Sequence, residues 1–445
     1  MTFFPACFRV IKFSSSFGDQ TEKMVLEISR PSVNDHGHSF REHRRVAGPP
    51  TDTLASAREG VATVSRLEVQ ADDIGCVQCV QFCPYSGAEQ LLVTGSDQHG
   101  KLSLFRVRVS HAPVTHATSI TSAGRLSCDR LQDIEMGDDI NCISWSPESQ
   151  CDGLVATVKL AVSLFNQKEV HIVTVRLKHR SLLLDNAATE QSPMTDTTAG
   201  NEASGGEGND SSSKISNKND EVAEVEHLER QVCEQLVSDL HQSTPVTDVA
   251  FEPNQGLHLA SVGQEKLCCV WDVRDLRMIC LFKLTSAGQS VRWCPTDPDR
   301  LLVGEQCGII RIYDLPSKTP LMSFSTFTTS GLLACADWCR TNPLLIAASV
   351  GSETLFWQTS HSSLPVDQIP SNHKGTEQLA MYNDHLYATR GRPRSQVLVY
   401  NRRLGQLLLD EQVKAGAGLS WHAKSPVLAL GGYRKLVLFQ LNAYT

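Results

Sequence analysis

Gly288 to Asp314 reads GQSVRWCPTDPDRLLVGEQCGIIRIYD, and its two landmarks are Trp293 with Pro295 two places on, then Tyr313. The same pair recurs along the chain. Phe82 with Pro84 leads to Phe105, Phe251 with Pro253 to Trp271, Trp338 to Trp357, Tyr382 to Tyr400 and Trp421 to Phe439. The interval from opener to closing aromatic stays between 18 and 23 residues. Trp145 with Pro147 opens a further unit, whose later strand is placed at Glu169 to Val175 without a second aromatic. The openers Phe251, Trp293 and Trp338 are separated by 42 and 45 residues, the length of a WD repeat, roughly 40 to 45 residues.

Two openers are spaced more widely, and each wide interval holds a polar stretch, His111 to Met136 or Asn186 to His241. With these set aside, Ala62 to Leu441 divides into seven units of about 43 residues. Inside a unit, short alternating strands are broken by turns. In Leu91 to Arg108, apolar Leu91, Val93, Leu102, Leu104, Phe105 and Val107 flank Gly95-Ser96-Asp97. A single four-stranded blade cannot bury its own apolar faces, whereas a ring gives every sheet two partners. The expected fold is therefore all-β, a seven-bladed WD40-type β-propeller over residues 62–441. Thr63 to Val69 alternates and precedes the first full unit, so it is expected to supply the outer strand of the last blade. An unrelated β-sandwich would show turns every 8 to 12 residues or so, with no repeat near 43 superimposed. Six or eight blades stay open, because Leu379 to Tyr400 is degenerate.

Outside the repeats, residues 1–61 mix Arg, His, Ser and Pro without periodicity and are expected to be a disordered N-terminal tail. Met1 to Phe17 has Arg9 and Lys12 but no continuous apolar core, and is read as an extension rather than a presequence. His36, His38 and His43 are taken as solvated, since a tail does not preorganise ligands. Residues 186–241 form an acidic, low-complexity insertion, with 12 acids against Lys214, Lys218 and Arg230. The whole chain carries −8, so the rest is nearly neutral. From Glu221 to His241, Val222, Val225, Leu228, Val232, Leu236 and Leu240 fall at helical intervals. They predict an amphipathic helix over 221–241, packed on the rim or binding a partner.

Several classes of function are disfavoured. No basic stretch dominates, so direct DNA or RNA binding is not expected. No run of 18 apolar residues provides a transmembrane segment. Cys76, Cys79 and Cys83 look like a metal half-site, but on a strand of period two Cys76 and Cys79 point to opposite faces, and core packing is expected instead. The 15 cysteines are scattered through strands and read as reduced thiols. No nucleophile elbow, P-loop or zinc-helix word occurs, so neither catalysis nor a cofactor, metal or small-molecule substrate is expected. Arg390, Arg392, Arg394, Arg402 and Arg403 cluster on the sixth unit and are expected to meet an acidic surface of a protein partner.

The stretch 288–314, followed by Ala336-Asp337-Trp338-Cys339, Leu355-Phe356-Trp357, Gly418-Leu419-Ser420-Trp421-His422, Gly431-Gly432 and Lys435 to Phe439, resembles the small WD-repeat propeller nucleoporins. These belong to the Y-shaped outer-ring scaffold complex of the nuclear pore. Trp145-Ser146-Pro147-Glu148 is similar to that family's second blade, and the resemblance spans about 300 residues of repeats. The tail before Ala62 and the acidic insertion depart from the family's compact pattern. The resemblance implies a scaffold subunit at the nuclear envelope that docks on a large nucleoporin with its own propeller and helical stalk, and contacts other nucleoporins of that complex. It also implies support of pore assembly, mRNA and protein transport, and a second role at kinetochores in mitosis. The competing reading is a substrate receptor of a cullin-type ubiquitin ligase, since Trp271-Asp272-Val273-Arg274 resembles the WDxR word of such receptors. That word is also the ordinary repeat dipeptide followed by an exposed arginine.

Overall fold

The computed structural model describes residues 63–97, 100–110, 125–152, 155–167, 169–178, 230–236, 244–326, 331–361, 363–371, 373–393, 395–414 and 416–442. The tail expected over residues 1–61 lies outside them.

Strand β1 is Thr63–Gln70. Blade 1 follows as β2 (Val77–Phe82), β3 (Leu91–Ser96), β4 (Lys101–Ser110) and β5 (Arg125–Glu135), and blade 2 as β6 (Ile140–Trp145), a short β7 (Gln150–Asp152), β8 (Val155–Leu164), β9 (Val170–Lys178) and β10 (Arg230–Leu236). Blade 3 is β11 (Val246–Phe251), β12 (His258–Gly263), β13 (Leu267–Asp272) and β14 (Arg277–Lys283); blade 4 is β15 (Gly288–Trp293), β16 (Arg300–Glu305), β17 (Ile309–Asp314) and β18 (Thr319–Ser325). Blade 5 is β19 (Leu333–Trp338), β20 (Leu345–Val350), β21 (Glu353–Gln358) and β22 (Asp367–Pro370). Blade 6 is β23 (Gly375–Met381), β24 (Leu386–Arg392), β25 (Gln396–Asn401) and β26 (Gln406–Gln412). Blade 7 is β27 (Leu419–Trp421), β28 (Val427–Gly432) and β29 (Lys435–Asn442), with β1 as its outer strand. Seven antiparallel sheets result, and the degenerate sixth unit is a full four-stranded blade.

Closure is by the N-terminal latch that the sequence predicts. β1 pairs with β29 antiparallel from Thr63↔Asn442 to Gln70↔Lys435. Lys435 Nζ lies 3.1 Å from Glu68, and Arg66 bridges to Glu411 at 3.3 Å while resting over the Phe439 ring. The core is not central. It is divided into apolar clusters that each straddle two neighbouring blades, including one shared by blades 7 and 1 and one by blades 6 and 7. Every sheet thus finds its second face against a neighbour, which is why a repeat too small to fold alone is stable in a ring.

Two expectations need correction. The 221–241 segment is not a helix where it is described: Arg230–Leu236 is β10, which pairs with β9 as the outer strand of blade 2. Its remaining residues lie outside the described set. Val232 and Leu236 fit helical spacing, but the open edge of β9 offers ladder bonds to an extended chain, and tertiary pairing overrides a local period. Likewise His111 to Met136 is not all insertion, because Arg125–Glu135 is β5, paired along β4 from Lys101↔Glu135 to Ser110↔Arg125. Outer strands have one solvated face and an open edge, so their composition is polar and they are easily mistaken for loop. Both excess stretches therefore enter at the same place, between the third and fourth strands of blades 1 and 2.

Candidate interaction surface

The inner strands frame the channel, and their inward edges present N–H groups that no sheet partner can satisfy. The preceding blade supplies acceptors. Ser144 Oγ accepts from Phe251 N–H at 2.9 Å, Asp248 from Val291 N–H at 3.0 Å and Ser290 Oγ from Ala336 N–H at 2.9 Å. Asp337 accepts from Met381 N–H at 2.9 Å, Gln378 Oε1 from Gly418 N–H at 3.0 Å and Ser420 Oγ from Phe82 N–H at 2.9 Å. These joints run from blade 2 round to blade 1. At the joint between blades 1 and 2, Gln81 Oε1 is instead buried without a partner.

The opener tryptophans answer in the reverse direction. The indole N–H of Trp145 donates to Gln81 O at 3.1 Å, that of Trp293 to Ala250 O at 2.8 Å and that of Trp421 to Ala380 O at 3.1 Å. At these three positions the ring fills the space between blades while its N–H hooks the previous inner strand, whereas the indole of Trp338 donates to Pro343 O of its own blade at 2.7 Å. The closing aromatics Phe105, Trp271, Tyr313 and Tyr400 each sit where the third and fourth strands change register, a bulge that adds twist to the outer edge.

Charge in the channel wall is consumed by the same task. Arg292 bonds Asp248 and lies 3.4 Å from Asp337, linking blades 3, 4 and 5. Burial opposes its charge, but the two carboxylates outweigh burial and hold its pKa above the ordinary arginine value. Several buried thiols are equally inert. Burial pushes Cys79, Cys83 and Cys128 up to about 12, so they are protonated and poorly nucleophilic near neutrality. Cys83 is buried beyond the end of β2, and among the described residues no group of three His, Cys, Asp or Glu side chains could hold a metal ion. His36, His38 and His43 lie outside those residues.

The arginines of the sixth unit do not form one surface. Arg390 is 1% exposed and donates to the carbonyls of Gly418 at 3.3 Å, Gly431 at 3.2 Å and Gly416 at 2.5 Å. It is a staple between blades 6 and 7 and cannot meet a partner, which corrects that part of the expectation. Burial lowers its pKa from the usual arginine value, with Glu377 acting the other way. Arg392 bonds Glu377 at 2.5 Å on the surface. Arg402 bonds Asp367 of blade 5 at 2.6 Å and lies 4.9 Å from the Phe356 ring centre, while Arg403 is exposed. Arg394 lies outside the described residues. In the WDxR word, Trp271 is buried with its indole on Ser261 at 2.9 Å, Asp272 accepts from the N–H groups of Arg274 and Asp275, and Arg274 is exposed. Each of the first two residues is accounted for by the turn itself.

Sequence reasoning missed Asp248, Arg292 and Asp337. The available signal was a polar residue at alternate positions of strands that otherwise read as buried, but nothing local says which neighbour such a residue serves.

Comparisons with known proteins agree with this geometry. The family of WD domains with G-beta repeats matches residues 234–272, which include β11 to β13. The chain is similar to nucleoporin Nup37 of Mus musculus, 32% identical over 200 residues that make up 44% of this chain and 60% of that protein. It is 30% identical to Nup37 of Homo sapiens over 199 residues, and 26% identical to Nup37 of Drosophila melanogaster over 209 residues, each 44% of this chain and 60% and 61% of the relative. The chain thus spans about 60% of the length of the curated relatives it matches, and it is a WD-repeat β-propeller resembling that nucleoporin.

Proposed function

We propose that this Nup37-like propeller is a non-enzymatic scaffold subunit of the outer-ring, Y-shaped complex of the nuclear pore. It binds a larger nucleoporin that has its own propeller and helical stalk, supports pore assembly and with it mRNA and protein transport, and has a second place at kinetochores in mitosis. The observation that carries the reading is the likeness to Nup37 of mouse, 32% identity over 200 residues. The site chemistry is in keeping with it: buried carboxylates and arginines are spent on joints between blades, and the thiols of Cys79, Cys83 and Cys128 are held protonated by burial, as suits a rigid binding module. The ligase-receptor reading gains no specific support, since Asp272 is engaged in its own turn.

The test is native co-purification of the tagged full chain from nuclei, with partners identified by mass, alongside imaging of its position. Outer-ring nucleoporins in near-stoichiometric amount and a rim signal at the nuclear envelope are expected. Recovery of a cullin-ligase adaptor without outer-ring nucleoporins overturns the proposal.

A further inference from the structure

Five hydroxyl residues are followed directly by proline: Ser146, Ser192, Thr244, Thr319 and Ser425. Such a pair is what a proline-directed protein kinase reads, and proline biases the residue before it towards the extended backbone that a kinase cleft accepts. The fold decides which hydroxyls can be reached. Ser146 is fully buried, with its Oγ accepting from Glu148 N–H at 3.3 Å, and Ser425 is 8% exposed. Thr244 donates its hydroxyl to Glu265. Ser192 lies outside the described residues. Of the four that are described, Thr319 is the exposed one, at the first position of β18 and within a run over residues 316–323 that is exposed throughout. Its Oγ1 lies 2.9 Å from Ser317 Oγ in the same turn. Because β18 is the outer strand of blade 4, one of its edges faces no other strand.

A phosphate at this position would meet a carboxylate. Thr319 stands opposite Asp314 in the β17–β18 ladder, and Asp314 stands opposite Arg300 in the β16–β17 ladder. Residues paired in this way share a face, with Cβ atoms about 5 Å apart. Asp314 accepts from Ser317 N–H at 3.0 Å, and the hydrogen bonds from Ser317 hold its pKa below the ordinary carboxylate value, so it is ionised near neutrality. A phosphate adds about −1.5 to −2 of charge beside it. Arg300 is taken up by Asp297 at 2.9 Å, and the single charge of Lys318 in the turn cannot offset both anions. The ladder is also thin here: Pro320 has no N–H to give Tyr313, and the register shifts between Ile312 and Tyr313. Like charges set opposite one another weaken it further.

We infer that Thr319 is a phosphorylation site for a proline-directed protein kinase, and that the added charge, set against Asp314, loosens the outer strand of blade 4. Thr319 Oγ1 attacks the γ-phosphorus of ATP, the bond from that phosphorus to ADP breaks, and the hydroxyl proton passes to the base of the kinase. Neither part depends on the scaffold partner proposed above.

The experiment incubates the full chain carrying Ser192→Ala with a purified proline-directed serine/threonine kinase and magnesium ATP under native conditions, beside a free peptide of residues 314–323. Intact mass and fragmentation are expected to show one phosphoryl group, on Thr319, entering at a rate within about tenfold of the peptide, since a fraying strand end opens readily. Thr319→Val is expected to take none. A native chain that stays unmodified while the peptide reacts overturns the site, as does incorporation at Ser146, Thr244 or Ser425 in its place. Amide exchange then reads the second part. The phosphorylated chain is expected to exchange the start of β18 about two- to fivefold faster, with β16 unchanged, and Asp314→Asn is expected to reduce that difference. Equal exchange before and after phosphorylation overturns the loosening, and an undiminished difference in Asp314→Asn overturns its cause.

Discussion

The joints of blades 3 to 5 and those of blades 6, 7 and 1 solve the same problem with different chemistry. On the first side, Arg292 sits between Asp248 and Asp337, one third exposed to the channel, and covalent turns carry the chain from blade to blade. On the second side, Arg390 is fully buried, its ligands are the carbonyls of Gly416 and Gly418 in a glycine-rich loop and of Gly431 on β28, and the last blade is completed by the β1–β29 ladder. That loop must be glycine-rich: Gly418 has φ +93°, and a Cβ there would come within 2.4 Å of Val80 N. The difference teaches that a propeller can tolerate a buried charge in two ways. It can keep carboxylates and channel water nearby, or it can surround the guanidinium with backbone dipoles. The second is the more fragile arrangement, because removal of the cation orphans acceptors that water cannot reach.

Opening the latch should have the largest effect. A chain beginning at Ala71 loses the eight-residue pairing of β1 and should be destabilised by on the order of 5 kcal/mol, at about 1 kcal/mol per ladder bond. A chain beginning at Gly60 serves as the control, and urea unfolding followed by tryptophan emission reads the change. Equal stability of the two truncations would break the contrast, since the covalent and latched sides would then be equivalent.

Arg390→Met comes next, with an expected loss of about 3 kcal/mol as buried carbonyls go unpaired. Arg292→Met should cost less, about 1 to 2 kcal/mol, because Asp248 and Asp337 retain their backbone donors and border the channel. The pair of denaturation midpoints checks both, and a larger loss for Arg292→Met would reverse the ranking of the two joints.

Acid should sharpen the comparison most gently. His373 and His422 both lie on the latch side, and burial lowers their pKa below 6.5. His422 Nδ1 accepts from the N–H groups of Lys424 and Ser425, which requires the neutral ring. Because the unfolded chain binds these protons more readily, stability is complete above the unfolded value of 6.5 and falls as pH drops through the lower folded values. His422→Asn keeps an acceptor and removes the titration, so its stability should vary less between pH 7 and pH 5 than that of the unmutated chain. Melting curves across that range test it.

Much of this was legible in the chain. An aromatic opener recurs because each repeat needs a large ring between blades, and in Trp145, Trp293 and Trp421 the indole N–H also holds the previous inner strand, so the spacing of openers reported the ring. Thr63 to Val69 declared itself by alternation ahead of the first unit. The polar outer strands did not: Arg125–Glu135 and Arg230–Leu236 carry too few apolar residues at alternate positions to reveal their period, and one of them imitated a helix.

What the sequence determined by itself was the unit, its length and its latch, because alternation, turn residues and aromatic spacing act within about forty residues of one another, while the structure fixed the number of blades at seven. What only the tertiary structure decided was where polar groups go. Phe82 and Ser420 stand 338 positions apart and share a bond, and Arg390 lies inside while Arg392 and Arg403 lie outside. Ring closure brings such groups together, and a side chain's burial depends on the blade that arrives beside it, which no local pattern encodes.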